Sequence, residues 1–249
     1  MIHFVGAGPG DPELLTRKAY RLLRDCEVLV WAGSLVHPAI ADLAPPICRR
    51  HDSAGMDLEE IVEVLSEADR SGLRTVRLHT GEPSLWGAIG EQIERLRERG
   101  HEVEVVPGIS AFQAAAAALR QELTRPEIAQ AVVLARAPGR TPVPPGQEPE
   151  VFGRTGATLC LYLSSGILVE TIARLVPEMG SDCPAALVAR ASWPEQQVLR
   201  GTLSEIPALA REAGIDRLAV LVVGRALAGN APPSRLYDAA FAHGWREAR

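Results

Sequence analysis

Three short segments concentrate the residues able to do chemistry. They read Val5-Gly6-Ala7-Gly8-Pro9-Gly10-Asp11-Pro12, Thr80-Gly81-Glu82-Pro83-Ser84-Leu85-Trp86-Gly87 and Pro107-Gly108-Ile109-Ser110-Ala111. Each follows a short apolar run, and glycine lets a backbone turn sharply and come close to a ligand. The first segment invites a dinucleotide reading, which fails on two residues. The pattern G-x-G-x-x-G needs glycine at position 11, where Asp11 stands, and Pro9 removes a backbone donor from the cradle. An acidic residue there also repels phosphate. A P-loop is excluded because no Gly-Lys-Ser/Thr occurs. Glu82 and Ser110 each read two ways, as the cap of a following helix or as a ligand contact. Cys26, Cys48, Cys160 and Cys183 form no Cys-x-x-Cys pair and the six histidines are scattered. A bound metal is therefore not expected, and Cys26 and Cys160, in apolar segments, read as core.

The elements that position these segments follow from periodicity. Residues 2–5, 28–31, 75–78 and 103–106 are short apolar runs that read as strands. Leu14, Leu15, Ala19, Leu22 and Leu23 recur at helical spacing, with Asp11 as cap and Pro12 in the first turn. Leu58, Ile61, Val62 and Leu65 mark a second helix, Ile89, Ile93 and Leu96 a third, and residues 111–119 a small-residue helix. Strands alternating with helices predict an α/β domain with a mostly parallel sheet. The second half repeats the alternation: strands over 130–135, 158–163, 185–190 and 218–223, helices over 167–175 and 204–212. Residues 137–156, rich in proline and glycine, read as a long surface loop. The expected domains are 1–118 and 119–249. Ligands of open α/β sheets collect at the carboxyl ends of strands, so the three glycine segments predict one pocket.

Composition narrows the class. With 249 residues, 47% hydrophobic and 23% charged, the chain is an ordinary globular one. Its longest apolar runs fall well short of the roughly 20 residues of a membrane helix, and no signal-peptide pattern opens it, so a cytoplasmic protein is expected. The net charge of −5 disfavours nucleic acid as partner. All but one of the 26 basic residues are arginine, the exception being Lys18. Arginine pairs carboxylates in bidentate fashion, which suits an acidic substrate.

The first segment together with Glu13-Leu14-Leu15-Thr16 resembles the opening signature of the tetrapyrrole methylase family. The second resembles its T-G-D-P motif and the third its P-G-[IV]-[ST]-[SA] motif; Glu82 stands where the family usually has aspartate. Trp31-Ala32-Gly33-Ser34-Leu35-Val36, residues 79–92, Leu134-Ala135-Arg136 and Gly139-Arg140-Thr141-Pro142 are most similar to members that methylate C11 of precorrin-4 in cobalamin synthesis. The resemblance covers essentially the whole chain. It implies two α/β domains with S-adenosylmethionine (SAM) in the cleft between them. Cofactor contacts carried over from it fall on Pro9, Gly81, Glu82, Pro83, Leu85, Ser110 and Ala111, and in the second half on Tyr162, Leu163, Ala189, Gly201 and Thr202. Asp11, Arg136 and Arg140 are the expected substrate contacts, with Arg49, Arg50, Arg125 and Arg154 as further candidates to clamp carboxylates.

The implied reaction needs neither a covalent nucleophile nor a metal. An electron-rich ring carbon attacks a methyl already activated on a sulfonium, so the protein has to align carbon, methyl and sulfur and exclude water. No catalytic base stands out in the sequence. The implied partners are an acidic tetrapyrrole and a second copy of the chain, with no nucleic acid and no membrane. Other tetrapyrrole substrates (cobalt-precorrin-4, precorrin-2, precorrin-3B or uroporphyrinogen III) are the alternative. An RNA- or protein-directed methyltransferase of the same fold is a further one, which the acidic balance disfavours.

Overall fold

The computed structural model describes residues 1–139, 141–162, 165–229, 234, 240–242, 244 and 247. Arg140 and Leu163 lie outside them. The chain forms two compact units, Met1–Ala114 with Arg190–Gln196, and Ala115–Ala189 with Gln197–Arg249.

Unit 1 is built on five parallel strands: β1 (Ile2–Gly6), β2 (Val28–Trp31), β3 (Arg49–Asp52), β4 (Thr75–His79) and β5 (Val103–Val106). Their order is β3-β2-β4-β1-β5, with Val5 opposite both Leu78 and Val106. Alternation along each strand serves two cores. Val5, Leu29, Val76 and Leu78 face α1 (Arg17–Asp25) and α2 (Pro38–Ala41), against Ala19, Leu23 and Ile40. Ile2, Phe4 and Val30 face α3 (Leu58–Arg70) and α4 (Ile89–Glu98), against Ile61, Leu65 and Leu96. Both faces are covered, as expected of parallel strands. Asp57 and Glu60 start α3 with a reciprocal capping box.

Two details depart from the sequence reading. Asp11 caps only a 3-10 turn, Pro12–Leu14, because Thr16 opens α1 afresh: its hydroxyl accepts from the Ala19 N–H at 3.1 Å. Strand β3, Arg-Arg-His-Asp, went unread because an edge strand needs no apolar run.

Unit 2 is also α/β, but its sheet is mixed. The strands are β6 (Val132–Arg136), β7 (Thr158–Tyr162), β8 (Pro184–Ala189), β9 (Gln197–Thr202) and β10 (Ala219–Val223), in the order β6-β7-β10-β8-β9. Only β6 and β7 run parallel; every other pairing is antiparallel. The helices are α6 (Pro149–Gly153), α7 (Leu168–Met179) and α8 (Ile206–Glu212), and the boundary between the units in sequence falls within α5 (Ala111–Leu119). Leu168, Ile172 and Leu175 of α7 and Ile206 and Ala210 of α8 share one core with Leu159, Leu161, Leu187 and Leu221. The stretch 137–156 is a loop only in its first part. Pro149 and Gly153 of α6 are buried, and Arg174 and Arg154 bond Glu150 and Glu178 across to α7. Among the described residues no helix is long and apolar enough to cross a membrane.

Candidate functional site

Because β4, β1 and β5 are neighbours, the three glycine segments leave the sheet side by side. They then lock together through backbone. Gly8 and Gly81 form a two-way bridge, Gly8 N–H to Gly81 O at 3.2 Å and Gly81 N–H to Gly8 O at 2.9 Å, while the Ala7 N–H donates to His79 O at 2.7 Å. A Cβ on Gly108 would lie 2.1 Å from Gly81 O, and one on Gly6 would lie 2.6 Å from Gly108 N. Only hydrogen fits at these two α-carbons. Gly8 and Gly81 meet a second demand, with φ of +66° and +58°.

Glu82 joins two of the loops. One carboxylate oxygen accepts from Ser84 N–H and the other from Gly108 N–H, each at 2.9 Å. Partial burial opposes its charge. The hydrogen bonds from Ser84 and Gly108 outweigh that and hold the carboxyl below the ordinary range. Glu82 therefore caps no helix: α4 begins at Ile89, beyond the turn. Ser110 does precede a helix. It is buried just before α5, and its N–H donates to Gln113 Oε1 at 2.9 Å, one half of a capping box. Pro83 is buried beside Gly81, Leu85 closes the turn with its N–H on Glu82 O at 3.1 Å, and Ala111 is the first residue of α5.

The first loop is clasped by a segment remote in sequence. Trp193 Nε1–H donates to Pro9 O at 2.8 Å, the indole lies against the Gly10 α-carbon, and Ser192 Oγ accepts from Asp11 N–H at 3.1 Å. His37 meets the same indole edge-on, ring centroids 4.6 Å apart. Nothing in the sequence pattern pointed to Ser192 or Trp193. The clasp also gives the failed dinucleotide reading its physical cause. Ala7 and Gly8 donate to β4 and its loop, Asp11 donates to Ser192, and Pro9 has no N–H. A diphosphate would find these donors occupied.

Beneath the loops sits a polar group the sequence reading missed. Arg77 and His79 point to the α3–α4 face of β4, both about 5% exposed. Arg77 donates to Gln92 Oε1 at 3.1 Å and Ser53 Oγ at 2.9 Å, Ser53 donates to Trp31 O, and Gln92 Nε2 donates to Ala88 O at 2.9 Å. Desolvation lowers the Arg77 pKa to about 10. His79 stacks on Phe4, and its buried Nε2 has no hydrogen-bond partner. The available signal was the alternation Thr75, Arg77, His79 in a strand flanked on both sides.

In unit 2 the expected contacts separate. Register places Arg136 opposite Tyr162, and the row through Tyr162 runs by way of β10 to Val188, next to Ala189. Gly201 and Thr202 pair with Ala185 and Pro184 at the other end of β8, about 13 Å away at strand rise. Thr202 is turned toward α8, its N–H and hydroxyl on Glu205 Oε2 at 2.8 and 3.0 Å. Arg136 donates to Thr141 O at 3.0 Å and to Pro142 O, holding its own loop. Arg50 pairs with Asp42, Arg125 bonds Ala228 O, and Arg154 pairs with Glu178. Arg49 is exposed at the sheet edge.

In unit 1 the main chains of three loops are thus packed together at the carboxyl edge of three adjacent strands, with the Ala7, Gly8 and Asp11 N–H groups already bonded. Comparisons with known proteins identify the family. The family model described as Tetrapyrrole (Corrin/Porphyrin) Methylases matches residues 1–207. The chain is 44% identical over 246 residues to a precorrin-4 C(11)-methyltransferase of Pseudomonas aeruginosa, covering 98% of each. It is 39% identical to a cobalt-precorrin-4 C(11)-methyltransferase of Methanocaldococcus jannaschii, covering 98% of this chain and 95% of that one. The X-ray structure of a cobalamin biosynthetic enzyme, cobalt precorrin-4 methyltransferase, superimposes with a TM-score of 0.88 at 37% identity, over 91% of this chain and 95% of that one. A Thermus thermophilus uroporphyrin-III C-methyltransferase complexed with S-adenosyl homocysteine superimposes with a TM-score of 0.75 at 29% identity, over 91% and 98%. On this full-length similarity, and on the three glycine loops that carry it, the chain belongs to the tetrapyrrole methylase family.

Proposed function

We propose that this protein transfers a methyl group from SAM to C11 of precorrin-4 in cobalamin biosynthesis. The observation that carries the reading is end-to-end similarity to relatives so named, at 42–44% identity. SAM, when bound, supplies a methyl group on a cationic sulfur. The residues proposed to hold it are Pro9, Gly81, Glu82, Pro83, Leu85, Ser110 and Ala111, with Tyr162, Leu163, Ala189, Gly201 and Thr202 from unit 2. The fit rests on the loop packing: only hydrogen is accommodated at Gly6 and Gly108, so the loops that carry these residues meet backbone to backbone at one sheet edge. Glu82 acts by bridging the second and third loops, and its charge favours a cationic ligand nearby. Trp193 and Ser192 fix the first loop and so set how closely a ligand can approach Pro9. No residue in this reading donates or removes a proton in the transfer; positioning and water exclusion are the protein's part.

Asp11, Arg136 and Arg140 are proposed to meet the acidic substrate. The protein is further proposed to act as a homodimer in the cytoplasm, which light scattering and fractionation test. The second reading, a cobalt-bearing substrate, is favoured by the 39% relative of that name. Incubating the protein anaerobically with SAM and either precorrin-4 or its cobalt complex, then weighing the product, separates them. A mass gain of one methyl on precorrin-4 supports the first reading; a gain on the cobalt complex alone supports the second. No gain on either overturns both.

A further inference from the structure

Two thiols that stand 22 positions apart in the chain are in contact in the fold. Cys26 Sγ and Cys48 Sγ lie 3.5 Å apart, one donating to the other, in the core that β2 shares with α1 and α2. Neither residue belongs to the site described above. The backbone sets up their meeting. Cys26 ends α1 in an extended conformation, and Cys48 leads directly into β3. The Arg49 N–H donates to Glu27 O at 2.9 Å, in step with the pairing of Val28 and Arg49 across β2 and β3. Cys48 therefore stands one strand across and one residue along from Cys26, about 6 Å between α-carbons at ordinary strand spacings. Disulfides span roughly 4.4–6.8 Å between α-carbons, so closing a bond here asks for side-chain rotation and little backbone movement.

The two sulfurs are not equivalent. Cys48 is 7% exposed and follows the fully outward Ile47, whereas Cys26 is 1% exposed. The hydrogen bond from Cys26 favours a thiolate on Cys48; burial and the Glu27 charge oppose it, the Arg50 charge assists, and the net direction is down. The same bond and burial push Cys26 up. Burial alone pushes Cys160 up to about 12 and is the main cause that raises Cys183. We propose that Cys26 and Cys48 form a thiol–disulfide exchange site that closes reversibly on reaction with a small-molecule disulfide. The Cys48 thiolate attacks one sulfur of that disulfide and expels the other half as a thiolate, which takes up the proton Cys48 released. Cys26 then loses its proton to the second leaving thiolate as its sulfur displaces that group from Cys48. Two cysteine thiols are oxidised and one small disulfide is reduced to two thiols. The bond ties the edge strand β3 to the end of α1 and closes a loop that contains β2 and α2. Strand β3 leads into Asp52 and Ser53, which hold the Gly33 N–H at 2.9 Å and Trp31 O at 3.0 Å. The fold already holds these elements together, so the crosslink constrains the unfolded chain most and leaves the glycine loops in place.

The test uses the reduced, folded full chain and oxidised glutathione, followed by alkylation of the remaining thiols, digestion and mass spectrometry. The expected product has Cys26 and Cys48 joined in one crosslinked peptide pair, Cys160 and Cys183 alkylated, and no glutathione retained; dithiothreitol should return all four thiols. Cys26→Ser should instead keep one glutathione on Cys48, because the resolving sulfur is gone, and Cys48→Ser should leave Cys26 reduced. The crosslinked protein should melt about 5 °C or more above the reduced protein, and this difference should be absent from both variants given the same treatment. Four alkylated thiols in the treated wild type overturn the proposal. So does glutathione that persists on wild-type Cys48, or a crosslink that forms only when urea has unfolded the chain. An unchanged melting temperature after complete crosslinking overturns the fastening of β3. The wild-type mapping decides the exchange chemistry even where a serine variant fails to fold.

Discussion

His79 gives a stability test that depends on the structure alone. Burial first, and the neighbouring Arg77 charge second, push its pKa from 6.5 down to about 3. The unfolded chain therefore takes up a proton below 6.5, whereas the folded chain does not until about 3. Stability from this group is whole above 6.5 and is lost as the pH falls, with a limiting slope of about 1.4 kcal/mol per pH unit. Between 6.5 and a pH of about 4.5 the integrated loss is about 2 kcal/mol, a sizeable share of a typical domain's stability. His79→Leu removes the titration and the unpartnered Nε2, at the cost of the ring contact with Phe4. Urea unfolding followed by tryptophan fluorescence suits the measurement, because three of the four tryptophans, Trp31, Trp86 and Trp193, lie in unit 1. Wild type and variant should diverge in slope, the variant losing about 2 kcal/mol less over this interval. Parallel curves would show that His79 is not held neutral by its surroundings, and the reasoning fails.

Three further outcomes follow from the loop geometry. Gly108→Ala forces a methyl to 2.1 Å from Gly81 O and should destabilise unit 1 by about 3 kcal/mol or more and abolish SAM binding; near-wild-type melting would refute the backbone packing. Trp193→Phe keeps an aromatic beside His37 but loses the bond to Pro9 O, and should cost about 1 kcal/mol in urea unfolding while weakening SAM binding by calorimetry; an unchanged affinity removes the clasp from the site. For Glu82→Gln the sign follows from a carboxyl lowered in the fold. The stability difference from wild type should be full above 4.5 and disappear as the pH falls through the folded pKa, and a difference that grows in acid would contradict it.

Much of this was legible from residue order. The runs at 2–5, 28–31, 75–78 and 103–106 became β1, β2, β4 and β5, because strands buried on both faces are nearly all apolar. The glycine spacing was read as room for a ligand, whereas Gly6 and Gly108 are spent on packing one loop backbone against another. Strands β3 and β9 were not legible: Arg49, Arg50 and Asp52 carry no apolar period, and β9 takes its register from β8. Nor did local spacing reveal the mixed direction of the second sheet, which follows from the crossover order of β10 between β7 and β8. The clasp of Trp193 on Pro9 joins residues 184 apart in sequence, beyond any periodic signal. The surroundings of the arginines expected to meet carboxylates were not legible for a related reason. Arg50, Arg136 and Arg154 have partners in the fold that only the tertiary structure supplies.

Glu82 shows what kind of site the sequence was describing. As an isolated acidic residue between glycine and proline it reads as a ligand contact or a helix cap. In the fold both its oxygens are taken by backbone N–H groups of two different loops. Its carboxylate therefore fixes the spacing of those loops as Gly6 and Gly108 fix their approach. The other ionisable groups near the sheet edge are likewise committed: Arg77 to Gln92 and Ser53, and His79 to a neutral buried form. With Glu82 holding two loops and Arg77 bonded within the fold, this edge is poorly arranged for proton transfer and better arranged for holding two reactants at a fixed separation. Methyl transfer from a sulfonium to an electron-rich carbon asks for that second property, since the leaving group needs no proton and the nucleophile belongs to the substrate.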